Sequence, residues 1–228
     1  MSVQLGSSGI QFSDSSAQTT ALTPYNDLGS LISVSSFSNN DTWYNPGARY
    51  VIVKIIGGGG GSVSYCESGG AGGYAEGLYN VTGVSSVGVT IGGGGGGTGY
   101  YSAAGNGGTS SFGGYISASG GYGANQNYSH SGGHGGTGSG GQLNLNGGAG
   151  SGHVNGCATH SGGKGGQGYF GGSCGHVRNH GNLGNSITGK LAHGAPGSGS
   201  PGNVTDGSNY HNHGSNGEAG LVVVYAYK

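Results

Sequence analysis

Apolar residues along this chain gather into short runs separated by long polar or featureless stretches. Tyr50-Val-Ile-Val-Lys-Ile-Ile56 and Leu221-Val-Val-Val-Tyr-Ala-Tyr227 are the strongest of these runs. Both are rich in β-branched residues and read as strands buried on two faces or nearly so. Neither can cover its apolar surface alone, so the economical arrangement pairs them side by side. Everything between them then becomes one long excursion from two paired ends. Within it, Gly73–Asn80 leads through a turn at Thr82-Gly83 to Val84–Ile91. Thr109–Ala118 alternates so that Phe112 and Ile116 point inward. These segments predict an antiparallel β-sandwich with glycine-rich loops. Neither apolar run is long enough to span a membrane.

The pattern changes after residue 130. Ser131–Gly141 and Ser161–Gly168 repeat G-G-x with a period of three. Polyproline-II geometry has three residues per turn and rises about 3.1 Å per residue. Two bare positions per turn let neighbouring backbones approach closely and leave one side chain facing out. Such helices have no internal hydrogen bonds, so neighbours of the same kind must satisfy their N–H and C=O groups. The expected fold is therefore all-β: a small β-sandwich with glycine-rich loops plus a bundle of polyglycine-II helices, with almost no α-helix. Three parts are expected: an N-terminal fibre or attachment segment at 1–25, a glycine-rich sandwich at 26–125 closed by strand 221–227, and a polyglycine-II tip at 126–220.

Composition narrows the function. Of 228 residues 62 are glycine, against about 7% in ordinary proteins. Only four glycines precede residue 57 (Gly6, Gly9, Gly29 and Gly47), and none follows Gly220. Six basic and seven acidic residues give a net charge of -1, so no basic surface is available to neutralise nucleic-acid phosphates. Four prolines and the lack of a strict Gly-X-Y period exclude collagen. Interior glycines, each costing about 1 kcal/mol relative to alanine, exclude long helices. The start Met-Ser-Val-Gln-Leu has no signal-peptide pattern, and three widely spaced cysteines make no disulfide framework.

Between the G-G-x tracts lie non-repeating inserts: Asn125–His130, Gln142–Asn146, His153–His160, Tyr169-Phe170 and Cys174–His180. They are rich in His, Asn, Tyr and single apolar residues. Loops on a rigid scaffold are where proteins place recognition, and Tyr, Asn and Ser give large contact at low entropic cost. Candidate recognition residues are Tyr128, His130, Asn144, His153, His160, Tyr169, Phe170, His176 and Arg178.

Three stretches carry a resemblance. Ser8–Ala21, reading S-G-I-Q-F-S-D-S-S-A-Q-T-T-A, resembles a short segment of tailed-phage fibre proteins. Tyr50–Gly61, Gly72-Gly-Tyr-Ala-Glu76 and the glycine run from Val89 are similar to the glycine-rich domain of phage tail fibres. The later G-G-x tracts are similar to distal adhesins of T-even-like phages, whose tips are polyglycine-II sandwiches with variable apical loops. The start of the chain departs from the attachment domain of those adhesins. The resemblance implies a virion tail-fibre receptor-binding protein, assembled in the host cytoplasm and partnered by other tail or fibre proteins. It implies a homotrimer, which would also bury Val3, Leu5, Ile10 and Phe12. A bacterial outer-membrane protein or a surface glycan would be the receptor. The alternatives are a structural fibre or decoration subunit, then an ice-binding or silk-like glycine-rich protein. Irregular third positions of G-G-x and the short uniform repeats argue against those last two.

No cofactor is expected from the pattern, and two groups stand as metal candidates, the weaker being His153, Cys157 and His160 with Cys174, His176 and His180, which are zinc-compatible ligand types whose spacing matches no closed zinc module. His211-Asn-His213 puts two imidazoles on one side of an extended segment, and in a three-fold fibre six such nitrogens could surround an iron or zinc ion. Catalysis finds no support. The seven carboxylates suggest no acid/base pair, and there is no G-x-S-x-G elbow, no GK[ST] and no G-x-G-x-x-G opening a helix.

Overall fold

A computed structural model of the chain describes residues 29–63, 67–99, 102–125, 131–152, 163–172, 194–202 and 214–228, with the backbone of three short strands ahead of them. Among the described residues thirteen strands are present: β1 Gln4–Gly6, β2 Gly9–Gln11, β3 Ala17–Gln18, β4 Leu31–Phe37, β5 Asp41–Tyr44, β6 Tyr50–Ile56, β7 Tyr74–Asn80, β8 Ser86–Thr90, β9 Ser110–Phe112, β10 Ile116–Ala118, β11 Gly138–Ser139, β12 Leu143–Leu145 and β13 Leu221–Tyr227. Among the described residues there is no α-helix. Strands β1–β3 form a small antiparallel sheet of their own, while the rest make two five-stranded sheets ordered β12-β7-β6-β13-β4 and β11-β10-β9-β8-β5.

The two apolar runs do lie side by side. β6 and β13 pair antiparallel over their full lengths, from Leu221 opposite Ile56 to Tyr227 opposite Tyr50. Their burial corrects one expectation, because it alternates instead of covering both faces. Val51, Val53, Ile55, Val222, Val224 and Ala226 are fully buried, whereas Ile52, Lys54, Val223 and Tyr225 are only half-buried. The first set faces the second sheet across the core; the other set lies on the opposite side of the sheet, an alternation common in antiparallel sheets, and there Tyr169 and Phe170 cover Tyr74. Phe112 and Ile116 point inward as expected, joined there by Trp43, Val87 and Val89. Trp43 and Phe112 meet with ring centroids 5.7 Å apart. Asn45 locks one corner of this sandwich. Its Oδ1 accepts from Gly47 and Ala48, and its Nδ2 donates to the carbonyls of Ala48, Val81 and Val84.

On one end of the sandwich, the described residues form a second layer of ten glycine-rich extended segments. We number them I (57–63), II (67–73), III (92–98), IV (104–109), V (119–125), VI (131–137), VII (147–151), VIII (163–168), IX (197–202) and X (214–220). Their backbone bonds run between segments, never within one, and change partner with every residue. In helix I, Gly57, Gly60 and Val63 donate to helix II, Gly58 and Gly61 to helix IV, and Gly59 and Ser62 to helix X. A partner recurring at every third residue is the signature of polyglycine II.

Carbonyls of the same helix accept from helices III, V and IX, so helix I has six neighbours. Helix II likewise donates to V, VII and IX and accepts from I, VI and VIII. The other eight form a closed ring around this central pair in chain order. Each bonds to the next, for example Tyr122 N–H to the His134 carbonyl (2.8 Å) and Gly199 N–H to the Gly166 carbonyl (3.1 Å). The ring closes where the Gly217 N–H of helix X meets the Gly95 carbonyl of helix III at 2.9 Å.

Helices I to V precede residue 126, and strands β11 and β12 follow it. The sandwich and the bundle therefore draw on the same stretches of chain. The run Gly57–Gly61, expected as a loop, is the hub of the bundle. Because it is surrounded on all sides, nearly every position must lack a Cβ. At Gly59 and Gly60 an added Cβ would overlap the Ser198 and Tyr122 carbonyls. At Ser62 and Ser68, where serine replaces glycine inside the bundle, the hydroxyl bonds to the backbone. Ser215 N–H donates to Ser62 Oγ (2.8 Å) and Gly202 N–H to Ser68 Oγ (3.0 Å).

Candidate functional site

Successive helices of the bundle run in opposite directions. The pairing of Gly57 with Gly73 and of Gly60 with Gly70 sets II against I, and the same reversal repeats to helix X. One end of the bundle is consequently occupied by the sandwich. There β6 runs straight into helix I, II into β7, IV into β9, β10 into V, VI into β11 and X into β13. At the opposite end, five pairs of chain ends face away from the sandwich: Val63 and Glu67, Gly99 and Ser102, Asn125 and Ser131, Gly152 and Gly163, Gly202 and Gly214. A small apolar cluster of Val63, Ala104 and Ala124 closes the bundle there. The chain enters at the other extreme, where Ser30 and Lys228 exchange two backbone hydrogen bonds of 3.0 Å. The molecule thus has an axis, with Ser30 and Lys228 at one end and the far ends of the glycine helices at the other.

Of the candidate recognition residues, Tyr128, His130, His153, His160, His176 and Arg178 lie outside the described residues, as do Cys157, Cys174, His180, His211 and His213. Asn144 is in β12, where its carboxamide closes a turn by bonding both the N–H (3.1 Å) and the carbonyl (2.7 Å) of Gly141. Tyr169 and Phe170 sit at the sandwich end of helix VIII, where Tyr169 stacks on Tyr74 at 3.6 Å and Phe170 meets the same ring edge-on at 5.9 Å. Among the described residues, no three His, Cys, Asp or Glu side chains converge as metal ligands.

Tyr74 is the buried anchor of that aromatic group. Its hydroxyl donates to Glu76 Oε2 at 2.7 Å, and Glu76 Oε1 lies 3.6 Å from Lys54 Nζ. Burial chiefly, then the Glu76 hydrogen bond and charge, push the Tyr74 phenol well above its usual 10.0. Burial also raises Tyr79, whose hydroxyl donates to the Gly140 carbonyl at 2.8 Å. The folded protein therefore keeps protons that the unfolded chain releases once the pH passes about 10, so stability is intact below that pH and falls above it. In an alkaline titration followed by phenolate absorbance, Tyr74 is expected to ionise only as the fold is lost. Ionisation of every tyrosine near pH 10 with the fold intact would contradict this assignment.

Sequence reading passed over Asn106, Tyr122 and His134, which the bundle brings together on its flank. The signal was available: Gly120-Gly-Tyr122 and Gly132-Gly-His134 follow the G-G-x rule, and x is the outward position.

These features define an all-β, glycine-rich protein in which a sandwich carries a two-centred polyglycine-II bundle. A family model described as a glycine-rich domain matches residues 35–227, and the chain belongs to that family. The match runs from within β4 to the last residue of β13, so it spans the sandwich and bundle and leaves out β1–β3. A search of curated proteins gave no match.

Proposed function

We propose that this chain is a tailed-phage tail-fibre receptor-binding protein, an adhesin that engages a bacterial surface receptor through segments held at the far end of its glycine bundle. The observation that carries this reading is the one-ended layout: five pairs of helix ends open away from the sandwich, and Ser30 and Lys228 lie at the other extreme. Each helix end is fixed by backbone bonds to its neighbours, so the connecting segments can vary without disturbing the frame. The resemblance of Ser8–Ala21 to fibre segments supports virion attachment at the opposite end, with homotrimer formation through that segment. The receptor is an outer-membrane protein or a surface glycan, and no reaction is catalysed.

Adsorption of the purified, fluorescently tagged chain to a panel of bacterial strains tests this reading, with light scattering giving the mass. The expected result is saturable labelling of some strains only. His130→Ala and Tyr128→Ala should reduce it at least tenfold with the melting temperature unchanged. Folded protein that labels no strain would overturn the reading in favour of a structural fibre or decoration subunit.

A further inference from the structure

We propose that the flank of the bundle formed by helices IV, V and VI binds an uncharged sugar. This site lies on the side of the bundle and does not rest on the adhesin reading. The cleft there has a volume of about 440 Å³, within the range of ligand pockets. Its exposed side-chain functions come from Asn106, Tyr122 and His134, the half-buried Asn125 and Ser131 complete its polar lining, and its walls include the backbone of Gly123 and Gly133. Tyr122 retains 54% of its surface, one of the largest exposures of an aromatic ring in the described residues.

The chemistry of this lining selects the ligand. Among the described residues, no Lys, Arg, Asp or Glu lines the cleft, so neither an anion nor a cation finds a counter-charge. Strand addition by a peptide is disfavoured too, because the nearby backbone is already paired. Tyr122 N–H donates to the His134 carbonyl (2.8 Å), the Tyr122 carbonyl accepts from Gly70 (2.9 Å), and Gly133 N–H donates to the Ser68 carbonyl (2.9 Å). What is left for a ligand is one aromatic face flanked by neutral side-chain donors and acceptors. Asn106 Oδ1 accepts from Gly123 N–H at 2.8 Å, which fixes the carboxamide and leaves its Nδ2 as a donor. The two ring nitrogens of His134 add hydrogen-bonding positions that a sugar hydroxyl can meet. A pyranose ring presents axial C–H groups on one face, which pack on an aromatic ring, and hydroxyls around its rim, which suit the amide and imidazole.

The cleft is also preformed. Helices V and VI are bonded to each other and to helices I and II beneath them, so little ordering cost falls on binding. At Gly133 an added Cβ would overlap the Tyr122 carbonyl. Helices V and VI therefore meet main chain against main chain, which holds the shape of the cleft.

Saturation-transfer NMR on the full chain tests the proposal, using D-glucose, D-galactose, N-acetyl-D-glucosamine, maltose and lactose as probes. The tripeptide Gly-Ser-Gly and inorganic phosphate serve as the other ligand classes. The expected result is transfer to the ring C–H protons of at least one sugar. That transfer should drop at least tenfold in Tyr122→Ala, survive in Tyr122→Phe, and be unchanged in Gln167→Ala on helix VIII. Should Tyr122→Ala fail to fold, His134→Ala reads the same cleft and should weaken the signal severalfold. No transfer to any of the sugars, transfer that persists in both cleft variants, or transfer to the peptide or phosphate alone would overturn the assignment. Sugar binding without strain labelling would leave this site standing and sink the adhesin reading, and the reverse pair of results would do the opposite.

Discussion

Alanine at Gly59 or Gly60 is expected to prevent the bundle from forming, while alanine at Gly96 leaves it intact. The first two glycines lie in the central helix, and their missing side chains face the Ser198 and Tyr122 carbonyls. The obstacle in each case is main chain already committed to hydrogen bonds, so it cannot rotate aside as a side-chain tip would. Accommodation requires moving helix V or IX away from helix I, which breaks a row of backbone bonds at once. Overpacking of an ordinary core costs about 1–3 kcal/mol and occasionally more. With backbone on both sides, the cost here should exceed about 4 kcal/mol, in the exceptional range for one substitution. Gly96 sits on the outward side of helix III, with nothing within 4 Å of an added Cβ and no positive φ. There alanine only restricts the unfolded chain, and a gain of about 0.4–1 kcal/mol is expected. Thermal unfolding of the three variants checks the contrast. Equal melting temperatures for all three would refute a close-packed bundle.

Phe112→Ala should be the most damaging truncation in the sandwich. Phe112 is fully buried in β9, against Trp43 and Tyr115, with ring centroids 5.7 and 6.1 Å away. Removing a ring from such a site costs about 3–5 kcal/mol, because the surroundings close only partly over the cavity. In a chain of this size that lowers the melting temperature by roughly 10 °C. The sandwich is also the base on which the glycine helices stand, since β9 continues directly from helix IV. Loss of its core should therefore unfold both layers together, as one transition in calorimetry. A variant in which the glycine layer melts separately at its original temperature would show instead that the bundle stands alone.

How far the sequence foretold this structure depended on whether side chains were present to carry a pattern. The pairing of Tyr50–Ile56 with Leu221–Tyr227 was legible because both runs are apolar and both border the glycine-rich excursion. Phe112 and Ile116 were legible from alternation. The three-residue period showed after residue 130, where His134, Thr137, Lys164 and Gln167 mark the outward position of each turn. It was silent in Gly57–Gly61 and Gly92–Gly97, since a run of identical residues carries no phase. The central helix is thus the hardest to see for the reason that makes it central: with six neighbours it has no outward position to mark. Which helix ends meet the sandwich was illegible as well. It follows from the alternating direction of ten helices, which appears only when the two hidden ones are counted.

The change of hydrogen-bond partner at every residue makes the bundle sensitive to phase as well as to composition. Adding one residue within a helix turns every later N–H by a third of a turn and aims it at the wrong neighbour. Adding three restores the aim and merely lengthens the helix by one turn, about 9 Å. At the far end no such arithmetic applies, because loop length costs little free energy. Within the lattice, then, insertions and deletions are tolerated in multiples of three, while the segments joining its helices are free to drift in length. A lineage of such proteins would keep a fixed reading frame in its trunk and vary without count at its crown.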